Sequence, residues 1–93
     1  METKFEIYSH VIIRLREVSN IIYSFMRENG YDNVYISYYD YGETDEGEVD
    51  TIFYSIDDVI IDQQLFLVEI PLEDIDNDIK IKEAVINEYN KKR

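Results

Sequence analysis

Apolar side chains recur at steps of three and four residues through the first 26 positions, which is the spacing of one face of an α-helix. They are Tyr8, Val11, Ile12, Leu15, Val18, Ile22, Phe25 and Met26. Thr3 and Glu6 have the spacing of a capping box, and Asn29-Gly30 is a suitable stop. A helix of about 25 residues is about 37 Å long. We therefore expect it to pack across the full width of a sheet.

The residues after Gly30 form short runs rich in β-branched and aromatic side chains, which are typical of strands. Alternation in the first run predicts Val34, Ile36 and Tyr38 on one face of the sheet. The other face is then predicted to carry Tyr35, Ser37, Tyr39 and Tyr41. The three predicted strands cover residues 34–41, 49–56 and 65–70. Residues 42–48 are predicted to form a hairpin tip, and residues 55–58 to open a turn.

A second, shorter amphipathic pattern closes the chain. Residues 74–78 offer several N-cap candidates. The apolar residues that follow are Ile79, Ile81, Ala84, Val85, Ile86 and Tyr89. The predicted order is α-β-β-β-α, an α+β fold in which a three-stranded antiparallel sheet has both helices packed on one face. With 93 residues, the chain is expected to be a single acidic domain over 1–93.

Charge is distributed very unevenly along the chain. Positions 28–79 contain no Lys, Arg or His, yet they hold 16 of the 21 Asp and Glu residues, and the net charge is −12. Such a surface repels nucleic acid and anionic lipid, because both are bound through Lys and Arg. Segregated negative charge is instead suited to a basic partner.

Several other classes are disfavoured by the sequence. The chain has no cysteine, and it lacks the basic and apolar segments of a signal peptide. Its apolar runs are shorter than the ~20 residues that span a bilayer. We therefore expect a cytoplasmic protein that does not bind membranes.

No catalytic or cofactor motif is present. His10 is the only histidine, so neither a catalytic triad nor a His-rich metal site can be built. The acidic segment 40–50 does not fit the calcium loop of an EF-hand in either register of its glycines. The α-β-β-β-α order is shared with double-stranded RNA-binding domains, but the acidic hairpin argues against that use. We expect no enzymatic activity, no cofactor, no metal and no direct binding of nucleic acid.

The predicted partner-binding surface combines the hairpin with the acids that follow the second strand. Carboxylates pair with guanidinium groups and tyrosine rings stack on them, so this composition favours an Arg-rich partner. Packing at the sheet edge is the alternative explanation for the tyrosines. The predicted site residues are Tyr39, Asp40, Tyr41, Glu43, Asp45, Glu46, Glu48, Asp50, Asp57, Asp58 and Asp62.

Carboxylates at alternate strand positions also approximate the spacing of phosphates. Alternate residues are ~6.6 Å apart, close to two nucleotides at ~3.4 Å each, and Glu46, Glu48 and Asp50 alternate in this way. In size, in the charge of residues 43–78 and in its predicted element order, the chain resembles small acidic phage proteins that block host defence nucleases. These include anti-CRISPR inhibitors of Cas9 and anti-restriction DNA mimics.

The resemblance implies a stoichiometric inhibitor that occupies the basic DNA- or RNA-binding groove of a target protein, such as a nuclease. It carries no diagnostic motif, so no family residue is transferred to this chain. The alternative is an acidic adaptor or regulatory subunit that binds a basic protein unrelated to nucleic acid.

Overall fold

The computed structural model describes the backbone of residues 4–43 and 49–91 and the side chains of residues 10–39 and 51–91. Over these ranges the chain forms helix α1 (Lys4–Glu28), strands β1 (Val34–Glu43), β2 (Val49–Asp58) and β3 (Gln63–Pro71), a 3-10 turn (Leu72–Asp74) and helix α2 (Asp78–Lys91). The strands form one antiparallel sheet in the order β1-β2-β3. The predicted α-β-β-β-α order is therefore confirmed.

The core lies between one face of the sheet and the two helices. Its sheet residues occupy alternate positions on the strands, as expected for side chains that share a face. They are Ile36, Ile52, Tyr54, Ile56, Phe66, Val68 and Ile70. From the helices, the same core takes Leu15, Val18, Ile22, Met26, Ile81 and Val85. Burial of this apolar surface is the main force that holds the helices on the sheet.

Tyr54, in the central strand, ties the sheet to α1. Its side chain is fully buried, and its hydroxyl donates a hydrogen bond to the Leu15 carbonyl at 2.8 Å. Burial raises the pKa of this phenol, the nearby Tyr38 ring adds to the rise, and Arg14 opposes it. Tyr54 therefore stays protonated and keeps donating to the helix across the physiological pH range.

A second tyrosine links α1 to the sheet edge. The backbone N–H of Ile36 in β1 donates to the hydroxyl of Tyr23 at 3.1 Å. The helix ends as predicted: Gly30 has a φ of +88°, and the Tyr31 N–H donates to the Met26 carbonyl at 2.9 Å. A left-handed residue after the last turn is the usual way to satisfy these carbonyls. Thr3, the predicted N-cap, lies outside the described residues.

The strands are longer than predicted, and one turn was predicted wrongly. Residues 55–58, expected to open a turn, belong to β2, because Asp57 and Asp58 pair with β1 on one side and with β3 on the other. Ladder pairing on both edges outweighs the turn preference of the two aspartates. The register shifts at Ile56/Asp57, so that the extra residue Leu65 in β3 packs against the core.

The helix faces are narrower than their sequence patterns indicate. Three isoleucines expected on the buried stripes are exposed: Ile12 (55%), Ile79 (71%) and Ile86 (41%). The core instead contacts α1 along Leu15, Val18, Ile22 and Met26, and Ile12 lies to one side of that stripe. Neither helix in the described part of the chain has the length and apolar character needed to cross a membrane.

The second helix begins later than the acidic stretch before it. Among the candidates in 74–78, Asn77 is the cap, since its side-chain oxygen accepts the Lys80 N–H at 3.2 Å. Residues 72–74 form the short 3-10 turn instead. Lys92 and Arg93, which follow α2, lie outside the described residues.

Candidate functional site

The sheet has a second face, which we call the open face. Among the described residues, neither helix packs against it, because both contribute to the core on the other side. Its side chains alternate with the core residues of each strand. They are Tyr35, Ser37 and Tyr39 in β1, Thr51, Phe53, Ser55 and Asp57 in β2, and Leu67 and Glu69 in β3.

Aromatic rings form the centre of the open face. Tyr39 and Phe53 are directly paired across β1 and β2, and their rings stack with centroids 5.6 Å apart and planes 8° apart. Tyr39 remains 46% exposed and Tyr35 59% exposed. Large exposed tyrosines are enriched at protein interfaces, since they supply contact area at low entropic cost.

A polar chain fixes one carboxylate on the same face. The Gln64 side-chain amide donates to the Ser55 hydroxyl at 2.7 Å, and that hydroxyl donates to the Asp57 carboxylate at 3.1 Å. Ser55 itself is only 8% exposed. Asp57 is thus held beside the aromatic rings and does not swing freely in solvent. A fixed carboxylate is better suited to pair with a guanidinium group than a mobile one.

The strand register places the predicted site residues at two ends of the sheet. Glu43 pairs with Val49 at one end, whereas Val34 pairs with Asp58 at the other. The two ends are nine residue steps apart along β2, which corresponds to ~30 Å. Asp57, Asp58 and Asp62 therefore lie far from the hairpin, and Tyr39 lies between the two groups.

The hairpin itself is described only in part. Asp40, Tyr41 and Glu43 belong to β1 and Asp50 belongs to β2. Asp45, Glu46 and Glu48 lie outside the described residues. The prediction that their carboxylates take part in binding stays a prediction.

A feature that the sequence reasoning missed joins β2 to β3. We call Val59, Ile60 and Ile61 the aliphatic turn; they are 59%, 74% and 55% exposed. Such turns usually carry Gly, Asn, Asp or Pro. The signal was present in the sequence, since three adjacent β-branched residues stand between Asp58 and Asp62.

Three basic side chains of the described part form ion pairs with carboxylates on the helices and on the segment that joins β3 to α2. Arg14, 12% exposed, donates to the Ile75 carbonyl at 2.7 and 2.9 Å and to carboxylates of Asp78 and Glu17 at 2.7 Å. Burial lowers the pKa of Arg14, but the hydrogen bonds to Asp78 and Glu17 outweigh it and the net shift is upward. Lys80 pairs with Asp74, and Lys91 with Glu88. The strands themselves contain no basic residue.

The excess of carboxylates over basic side chains predicts that salt stabilises the protein. Repulsion among the carboxylates of residues 28–78 is screened as the Debye length shortens from about 20 Å near 20 mM salt to about 6 Å near 300 mM salt. We expect the melting temperature to rise over that range, and scanning calorimetry measures it. A melting temperature that is unchanged or lower at the higher salt concentration would contradict the expectation.

A groove of about 960 Å³ runs between α2 and β3 and adjoins the open face. It is lined by Gln64, Phe66, Leu67, Glu69, Ala84, Asn87, Glu88, Asn90 and Lys91. The described side chains form no group of three or more His, Asp or Glu that could hold a metal ion. His10 bonds Asp76 on the surface, 3.1 Å from its carboxylate.

Comparison with known proteins gives no relative: no family model, curated protein or solved structure significantly matches this chain. The functional interpretation therefore depends on the charge, the open face and the aliphatic turn.

Proposed function

We propose that this protein is a non-enzymatic acidic binding domain that acts in the cytoplasm and docks its open face on a basic surface of another protein. One combination of features supports the proposal most: Tyr35 and Tyr39 are exposed, and no strand of their sheet contains a basic residue. Nothing on the strands competes with a partner's Lys and Arg for the carboxylates. The tyrosine rings offer stacking surfaces for guanidinium groups at the same place.

For the identity of the partner, we favour a nucleic-acid-binding protein, such as a nuclease. A groove that binds DNA or RNA already presents Lys and Arg at phosphate spacing, and 16 carboxylates without one base between positions 28 and 79 can replace the phosphates. The protein would then be an inhibitor of the anti-CRISPR or anti-restriction type, a nucleic-acid mimic.

The second candidate is an acidic adaptor or regulatory subunit for a basic protein unrelated to nucleic acid. The aliphatic turn supports it, because three exposed aliphatic side chains have no counterpart in a phosphate backbone. The separation of Asp57, Asp58 and Asp62 from the hairpin also supports the adaptor. An adaptor can bind through two separate acidic patches, whereas a mimic of a phosphate backbone needs one continuous run of charge.

Affinity capture from a bacterial lysate, followed by competition, separates the two candidates. For a mimic, we expect duplex DNA or structured RNA to displace the captured protein from the immobilised domain. For an adaptor, neither nucleic acid displaces it. Mass spectrometry identifies the captured protein, and its own binding of nucleic acid can then be measured.

The contribution of the open face is tested with the purified partner. Replacing both Tyr35 and Tyr39 by alanine should speed dissociation about 5- to 30-fold for each ring that stacks on arginine, corresponding to ~1–2 kcal/mol per ring. Surface plasmon resonance measures the rate. Ile13→Ala is the matched control, since Ile13 is 59% exposed but lies on α1, across the sheet. Equal dissociation rates for the wild type and the tyrosine variant would remove the open face from the interface.

A further inference from the structure

The aliphatic turn is the most concentrated exposed apolar feature among the described residues that follow one another in the chain. Val59, Ile60 and Ile61 expose 59%, 74% and 55% of their surface at the point where β2 passes into β3. A single exposed aliphatic residue is ordinary, but adjacent exposed aliphatic residues form a patch of the kind that marks interaction sites.

Hydrogen bonds hold the aliphatic turn in one conformation. The Asp58 carboxylate accepts the N–H of Ile60 at 2.9 Å and that of Ile61 at 3.3 Å, which forms an Asx turn. Asp62 closes the turn with a φ of +53°. The Val59 N–H donates to the Asn33 carbonyl at 3.0 Å, which fastens the turn to the loop before β1. A turn ordered in advance loses little conformational entropy on binding.

Acidic residues adjoin the aliphatic turn. Asp58 and Asp62 flank it in sequence, Asp57 precedes it on the open face, and Asp32 is next to Asn33, to which the turn is bonded. Asp32 and Asp62 are exposed. This negative charge disfavours a second copy of this chain, since like charges would face one another, and it disfavours anionic lipid. It is complementary to Lys and Arg.

We propose that the aliphatic turn is an anchor that inserts into an apolar pocket of a protein partner, and that the rim of this pocket carries Lys and Arg. This proposal rests on the proposed function and names the part of the interface that fixes its position. The turn adjoins the open face, because Tyr35 pairs with Asp57 at the same end of the sheet. One partner surface can therefore contact the turn and the tyrosines together. Apolar burial slows dissociation, while the surrounding carboxylates speed association.

A peptide library displayed on phage supplies a probe of defined chemistry. The library is selected against the immobilised full chain at low salt, and enriched peptides are then synthesised. We expect them to combine Lys or Arg with large apolar residues. Binding of each synthetic peptide is measured by fluorescence anisotropy against the wild type and against variants.

The key variant is Ile60→Thr with Ile61→Thr, which keeps the β-branched shape and both backbone N–H groups but removes apolar surface. We expect it to bind the selected peptides about tenfold or more weakly. Ile12→Thr with Ile13→Thr is the matched control: these neighbours on α1 are 55% and 59% exposed, and their replacement should leave binding unchanged. Melting temperatures of all variants check that the fold is retained.

The outcomes separate the two proposals. If peptides rich in Lys and Arg bind the turn variant as tightly as the wild type but weaken with Tyr35→Ala and Tyr39→Ala, the anchor is refuted and the open face keeps its role. If the enriched peptides contain no more Lys and Arg than the starting library, both proposals fail. If the turn variant and the α1 control weaken binding equally, the effect is general hydrophobicity and the anchor is refuted.

Discussion

Replacing Ile22 by alanine is expected to lower the free energy of unfolding by about 2–5 kcal/mol. Ile22 is fully buried at the middle of the helical stripe, between Val18 and Met26, and it is part of the single core beneath the sheet. Its loss removes apolar burial and leaves a cavity that close-packed neighbours fill only in part. Urea unfolding followed by circular dichroism measures the change as a shift in midpoint at constant slope.

Two further positions on α1 calibrate this result. Phe25 is half-buried, and its ring packs edge-on against Tyr89 with centroids 5.2 Å apart, so Phe25→Ala should cost about 2 kcal/mol. Arg16 is exposed, and Arg16→Ala should cost less than about 0.5 kcal/mol. Equal midpoints for the three variants would show that the buried face of α1 has been misassigned.

Replacing Arg14 by alanine is expected to lower the free energy of unfolding by about 2–3 kcal/mol. The substitution leaves the Ile75 carbonyl without its two guanidinium donors. It also leaves Glu17, Asp76 and Asp78 without the cation that holds them together. Their side chains are 52–61% exposed, so solvent screens their repulsion and the loss is smaller than for a fully buried ion pair.

Arg14→Lys separates the charge of Arg14 from its geometry. Lysine restores the positive charge but has no planar fork, so it cannot reproduce the two bonds to one carbonyl together with the bonds to carboxylates. We expect it to recover less than half of the lost stability. Arg16→Ala, two residues further along α1 and exposed, is the control for general loss of charge. Full recovery by lysine would mean that charge alone explains the contribution of Arg14.

The order of elements could be predicted because both helices and all three strands have strong local patterns. The end of β2 could not be predicted from the sequence. Asp57 and Asp58 favour a turn in isolation, and they belong to a strand only because they pair with β1 and β3. The exposed positions of Ile12 and Ile79 also follow from packing, since periodicity does not give the width of the surface that a helix buries.

The candidate site was predictable in its chemistry but not in its layout. The charge asymmetry and the tyrosines are properties of the sequence alone. The ~30 Å between the two ends of the sheet, which separates the hairpin from Asp58, depends on the strand register, and that register is set by long-range pairing. The three β-branched residues of the aliphatic turn are visible in the sequence, but such residues normally indicate a strand. The fold adds that Ile60 lies between two strands and faces solvent.

The hydroxyl of Tyr23 affects pairing between the edge strand β1 and strands of other copies of this protein. An edge strand can recruit a strand from a neighbouring molecule through its outward N–H and C=O groups, and such recruitment is the first step of sheet-mediated aggregation. In β1, the Ile36 N–H is already bonded to Tyr23, so an incoming strand would have to displace a side chain carried by a helix packed in the core. At Ile36 the edge of β1 is thereby less open to pairing with the sheet of another copy.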